Sequence, residues 1–173
     1  AHSAVRDGLE KYGQLNFIIR AKLYKGLCTG SMNIGTLLDD ERLKMTLPRC
    51  CCYCGSSDKL TVDHLIPKKR GGPEAGDNAV WACQSCNSSK GGRDLLEWMA
   101  KQGKFPPLML LRRYLKLAIT YACEGDILEV PLGTEIQTPF ALDSIPTTFP
   151  GPAELVLWTE PRDSQPPCPP PRA

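Results

Sequence analysis

The stretch CCYCGSSDKLTVDHLIPKKRGGPEAGDNAVWACQSCNSSK, residues 51–90, decides the fold. It opens with Cys51-x-x-Cys54 and closes with Cys83-x-x-Cys86, the spacing of a structural tetrathiolate zinc site. Two intervening residues let both thiolates reach one ion from a tight turn. Gly55 follows Cys54 directly and supplies the positive φ that such a turn needs. Cys50 and Cys52 flank the first knuckle, but only Cys51 stands at x-x spacing from Cys54 and is therefore the expected ligand. Four thiolates close the tetrahedron and leave no place for water, so this zinc would be structural. A segment this short buries too little apolar surface to fold reliably without a staple.

The 28 residues between the two pairs exceed the roughly 15–20 of a common zinc ribbon, so something is inserted between the knuckles. The insert begins with KLTVDH, an alternating, β-rich run that predicts a short strand ending in Asp63 and His64. IPKKRGGPEAGD reads as a loop. NAVWAC predicts a second strand, and from Asn87 the pattern becomes helical, with Leu95, Leu96, Trp98 and Met99 as the apolar face.

Outside this core, Val5, Leu9, Tyr12, Leu15 and Ile19 recur at helical spacing and predict a helix over 3–27. LLDDERLKM, 37–45, predicts a short helix, and PPLMLLRRYLKLAITYAC, 106–123, a longer one. Two prolines are tolerated at that helix's start, where backbone N–H groups have no helical partner. Its apolar stripe is Leu111, Tyr114, Leu115, Ala118 and Tyr121, with Arg112, Arg113 and Lys116 clustered on another face, expected to be a solvated basic side or, alternatively, to bring the arginines to phosphate. From 128 onward the chain holds 11 of its 16 prolines, a strand-like ELVLW and little periodicity. Residues 161–173 are expected to stay disordered or in polyproline II. The expected organisation is a helical extension over 1–49, a core over 50–104, a helix packing on it over 105–127, and a Pro-rich acidic tail over 128–173. The fold class is α+β.

The charge is divided along the chain. Residues 1–123 carry 19 basic and 11 acidic side chains, and residues 124–173 carry 2 basic and 8 acidic ones. A basic body suits a polyanion. The odd count of nine cysteines, with six in two tight groups, argues for metal binding in a reducing, cytoplasmic setting rather than a disulfide framework. AHSAVRDGLE has no apolar h-region, and PPLMLL is too short to span a bilayer, so neither secretion nor a membrane is expected.

The pieces C-x-x-C-G (51–55), VDHLIP (62–67), GG (71–72), DN (77–78) and CQSCNSSK (83–90) together resemble the HNH nuclease family, with its ββα-metal fold. The resemblance covers about a quarter of the chain. It implies His64 as general base for water, Asp63 and Asn87 as ligands of a catalytic Mg²⁺ or Mn²⁺, and Asn78 as the middle signature residue. Asn78 is expected to pin the loop and orient His64 through backbone hydrogen bonds. Many relatives have His where Asn87 stands, so this is an H-N-N variant; Asn keeps an oxygen for a hard ion, whereas His would favour softer ones.

The chemistry is consistent with that resemblance. Phosphodiester hydrolysis needs a base for water, which a neutral imidazole supplies near pH 7. It also needs a cation to neutralise the leaving oxygen. On a strand, neighbours 63 and 64 point to opposite faces, so for both to serve one site the strand end must twist or bulge, or the metal must sit at its edge. Lys68, Lys69, Arg70, Lys90 and Arg93 flank the site and are the expected phosphate contacts. The expected activity is one-metal cleavage of double-stranded DNA, and the resemblance implies that it leaves 5′-phosphate and 3′-hydroxyl ends. The alternatives are a silent zinc-stapled nucleic-acid-binding module, or a subunit acting with a protein partner or as a homodimer.

Overall fold

A computed structural model describes residues 47–131, 134 and 136–162 of the chain, together with residues 8, 13, 14, 17, 18, 21, 22, 25 and 29. The predicted helix at 37–45 lies outside the described residues, as does the chain beyond 162. Of the predicted 3–27 helix, Gln14, Phe17, Ile18, Ala21, Lys22 and Lys25 are described and helical.

The core is α+β. Strand β1 (Leu60–His64) pairs antiparallel with β2 (Ala79–Cys83) in an unbroken register from Leu60 opposite Cys83 to His64 opposite Ala79. No bulge interrupts the ladder, so Thr61, Asp63, Val80 and Ala82 share one face, and Val62, His64, Ala79 and Trp81 the other. The 65–78 connection carries two single-turn 3₁₀ segments, Lys68–Arg70 and Gly76–Asn78.

Helix α1 (Gln84–Lys90) leaves β2 directly, earlier than the Asn87 start that periodicity predicts. The expected single helix is two. Gly91 ends α1 at φ 53°, ψ −131°, and α2 (Leu95–Lys101) restarts behind Asp94. The Asp94 carboxylate accepts from the Leu96 amide at 2.8 Å, a helix N-cap. Its other oxygen accepts from Tyr114 Oη at 2.7 Å and the Ala141 amide at 3.2 Å. Burial and that bond to Asp94 push the Tyr114 phenol well above its ordinary range. One buried carboxylate thus joins α2, helix α3 (Leu108–Glu124) and the segment after it.

Leu110, Leu111, Tyr114 and Leu117 bury one side of α3 against Leu95, Leu96, Trp98 and Met99 of α2 and against Phe140 in a single core. The expected solvated basic side is corrected at two positions, because Arg113 and Lys116 are buried. Arg113 reaches the carbonyls of Gly76, at 3.1 Å, and Asp77 in the 65–78 connection. Pro107 offers α3 no side-chain cap, and its first amides are satisfied from far along the chain. Leu108 N donates to Val156 O at 2.9 Å and Met109 N to Leu157 O at 3.2 Å. The strand-like ELVLW therefore forms no strand; it lies across the helix start and supplies carbonyls to it.

Candidate zinc centre and His64 site

The Sγ atoms of Cys51, Cys54, Cys83 and Cys86 lie within 4.8 Å of one another, and Cys54 and Cys83 are 3.7 Å apart. A tetrahedron with Zn–S bonds of about 2.3 Å has edges of about 3.8 Å, so this donor set fits a zinc ion. In the first knuckle, Gly55 N donates to Cys51 O and Cys51 N to Ser56 O, each at 2.8 Å. Gly55 sits at φ +75°, as the turn requires, and a Cβ there would meet Glu160 O at 2.2 Å. Cys50 turns away and donates its thiol to Thr159 O at 3.4 Å, so Cys51 is the member of the cluster that the x-x spacing indicates.

The second knuckle spans the end of β2 and the first turn of α1. Cys83 Sγ caps the helix, accepting from Cys86 N at 3.5 Å. The ladder that puts Leu60 opposite Cys83 brings the two knuckles together. Burial raises the Cys51 and Cys86 thiols above the usual range. Burial pushes Cys83 the same way, but bonds from the Cys86 amide and from its neighbouring thiols outweigh it and lower Cys83.

Asp63 is placed otherwise than a metal ligand requires. It is 6% exposed, and its oxygens are already occupied. Oδ1 accepts from the His64 amide at 2.8 Å and Lys90 Nζ at 3.3 Å. Oδ2 accepts from Tyr53 Oη at 2.6 Å and lies 3.2 Å from Lys90 Nζ. Three hydrogen bonds and the Lys90 ion pair thus engage both oxygens, and an ion at Asp63 would compete with the Lys90 ammonium for them. A divalent cation at Asp63 and Asn87 therefore does not fit the side chains as they stand. Lys90 must also be corrected. It is 1% exposed, paired with Asp63, and donates to His64 O at 2.6 Å, so it cannot touch phosphate. Burial, then the nearby Cys52 and Asp63, push the Tyr53 phenol well above its usual range, which keeps it a donor to Asp63.

Asn87 is the fourth residue of α1, not its start. Its Nδ2 donates to Thr61 Oγ1 at 3.0 Å and Val62 O at 3.2 Å. Asn87 and Lys90, one turn apart, thus satisfy the β1 carbonyls of Val62 and His64. Oδ1 of Asn87 has no bond among the described residues. Asn78 is fully buried: Oδ1 accepts from Ile66 N at 2.8 Å, and Nδ2 donates to Ile66 O at 2.9 Å and Pro73 O at 2.8 Å. These bonds fix the chain directly after His64. His64 itself is half-buried and faces away from Asp63. Its main-chain N–H and C=O are both held, while its imidazole makes no hydrogen bond among the described residues.

The remaining basic residues differ in availability. Lys68 pairs with Glu74, and that ammonium holds the Glu74 carboxyl below the usual range. Arg70 donates to Pro139 O at 3.0 Å and lies 3.8 Å from Glu97. Arg93 donates to the Ser89 and Lys90 carbonyls, closing the end of α1, and stays exposed. Lys69 is exposed with no bond among the described residues. Sequence reasoning missed Tyr53, which no periodicity marks, and the stacking of Arg49 on Trp81, with Cζ 4.1 Å from the ring centroid. Strand alternation was the available signal for the latter, since it puts Trp81 on the face of Val62 and His64.

Among the described residues no helix is long and apolar enough to cross a membrane. No curated protein and no solved structure matches the chain. Residues 51–93, from the first zinc knuckle to the residue that closes α1, match the model of the HNH endonuclease family.

Proposed function

We propose that this chain is an endonuclease that hydrolyses phosphodiester bonds in DNA, with His64 as the general base. The observation that carries the proposal is the condition of His64 inside a segment matching the HNH family. Its backbone is clamped by Asp63 and Lys90, the chain after it is pinned by Asn78, and its imidazole is left without a hydrogen bond. A base held rigidly and kept unbonded is arranged for proton transfer. The imidazole takes a proton from water, the hydroxide oxygen attacks phosphorus, and the bond to the 3′ oxygen breaks. The leaving 3′ oxygen takes a proton from solvent water, the imidazolium returns its own to solvent, and the strand ends as 5′-phosphate and 3′-hydroxyl.

A divalent cation such as Mg²⁺ or Mn²⁺ would neutralise charge on the phosphate and leaving oxygen. Of the two expected ligands only Asn87 has an oxygen free of bonds, so no step is assigned through Asp63. Zinc at the four cysteines would tie the 51–54 turn to the junction of β2 and α1 and would take no part in the chemistry.

The closed state of Asp63 favours a second reading, a nucleic-acid-binding module that kept the fold without the cutting. Cleavage of supercoiled plasmid separates them. The full chain is assayed with Mg²⁺ or Mn²⁺, with those ions withheld, and as His64→Ala checked for zinc content and folding. Cutting by the parent that fails in folded His64→Ala supports the proposal. Equal cutting by His64→Ala removes His64 from the mechanism, and binding without cutting moves the second reading forward.

A further inference from the structure

The geometry points to Arg49, whose guanidinium lies over Trp81, as a contact for the DNA backbone on the face of the hairpin that carries His64; this rests on the nuclease reading above. In the antiparallel register Trp81 stands opposite Val62, and His64 opposite Ala79, so the Arg49–Trp81 stack and His64 share one face. The two pairs are two residues apart, about 6.8 Å along the strand. That is about two steps of roughly 3.4 Å along a duplex axis. The face is open: Val62 is 51% exposed, and Arg49 is exposed.

Arg49 has no carboxylate or hydrogen-bond partner among the described residues, and it differs in this from Lys68, Arg70, Lys90 and Arg93. A guanidinium 4.1 Å above an indole is within cation–π range and is preorganised by it. Arg49 is exposed and its N–H fork makes no hydrogen bond among the described residues, so the fork is available to phosphate oxygens. The basic surplus of residues 1–123, 19 side chains against 11, supplies a favourable field for the same ligand.

Fluorescence anisotropy of a labelled 20-base-pair DNA tests this with full-length His64→Ala as parent, so that cleavage cannot interfere. Salt is varied from about 50 to about 200 mM, where counterion release dominates binding. Adding Arg49→Ala is expected to weaken binding about 3–10-fold and to flatten the slope of log K against log salt by about 0.9, one phosphate contact. Arg49→Lys is expected to restore the slope and only part of the affinity, because it keeps the charge without the stack. Arg49→Gln carries the test if the alanine variant loses zinc. An unchanged affinity and slope in a folded, zinc-loaded variant overturns the inference alone. An effect on an RNA duplex of the same sequence but none on DNA overturns it too. A parent that binds no DNA removes both this inference and the nuclease reading.

Discussion

Lys90 shows what a single residue's place can and cannot convey. In the sequence it stands one turn after Asn87, among polar neighbours, where a lysine ordinarily faces water. Lysine is almost never buried unless paired, and nothing local announces that its partner is Asp63, 27 positions earlier. The two knuckle spacings were legible because x-x spacing is a local constraint, and they identified Cys51 against Cys50 and Cys52. The Lys90–Asp63 pair is a tertiary fact. Removing the ammonium leaves a buried carboxylate with Tyr53 and one amide for company. Lys90→Met is therefore expected to destabilise the zinc-loaded protein by about 3–5 kcal/mol, read from urea unfolding. Asp63→Asn added to Lys90→Met is expected to recover part of that loss, because the orphaned charge is gone. A Lys90→Met loss under about 1 kcal/mol would mean that the pair does not hold the hairpin.

At the scale of the element, the strands were legible because alternation is local, and the Asp63/His64 problem followed from the same rule. The ladder contains no bulge to resolve it, so the two side chains stay on opposite faces. The division of the helix at Gly91 was less legible: Leu95, Leu96, Trp98 and Met99 continue a helical pattern that hides the cap at Asp94. The 65–78 connection is a loop by composition, yet its precision comes from Asn78 and from Gly72. A Cβ on Gly72 would lie 1.9 Å from the Ile66 carbonyl oxygen, with no flexible side chain to yield. Gly72→Ala must therefore push the loop away from the residues that follow His64. It is expected to lower plasmid cleavage more than tenfold while the four cysteines still bind zinc, measured as metal content beside activity. Asn78→Ala acts on the same element by a different route. It leaves the Ile66 amide buried without its acceptor, a penalty of about 1–3 kcal/mol, which a thermal melt would register. If both variants cut like the parent, the connection does not position the base.

Across the whole molecule, the described residues after α3 prove to be joined to the parts that matter, although their composition gave no sign of it. Their hold rests on backbone carbonyls and amides and on single side chains, Phe140, Thr159 and Arg162, that follow no period, so periodicity had nothing to detect. Thr159 Oγ1 donates to Cys52 O at 2.6 Å, Arg162 N to Gly55 O at 3.0 Å, and Arg162 Nε to Cys54 O at 2.8 Å. Val156 and Leu157 meanwhile cap α3. One segment thus braces the first zinc knuckle and the start of the long helix at once. Zinc binding and folding are coupled in a unit of this kind, because the ligands are assembled only in the folded state. Loosening the brace should therefore appear as faster metal loss. A chain ending at residue 150 is expected to release zinc to a colorimetric chelator several-fold faster than the full chain, and to melt at lower temperature. Gly55→Ala should produce the same acceleration in the intact chain, since its Cβ would meet Glu160 O and drive the segment off the knuckle. Unchanged zinc release in both would mean that the four thiolates hold their ion without help from residues 155–162.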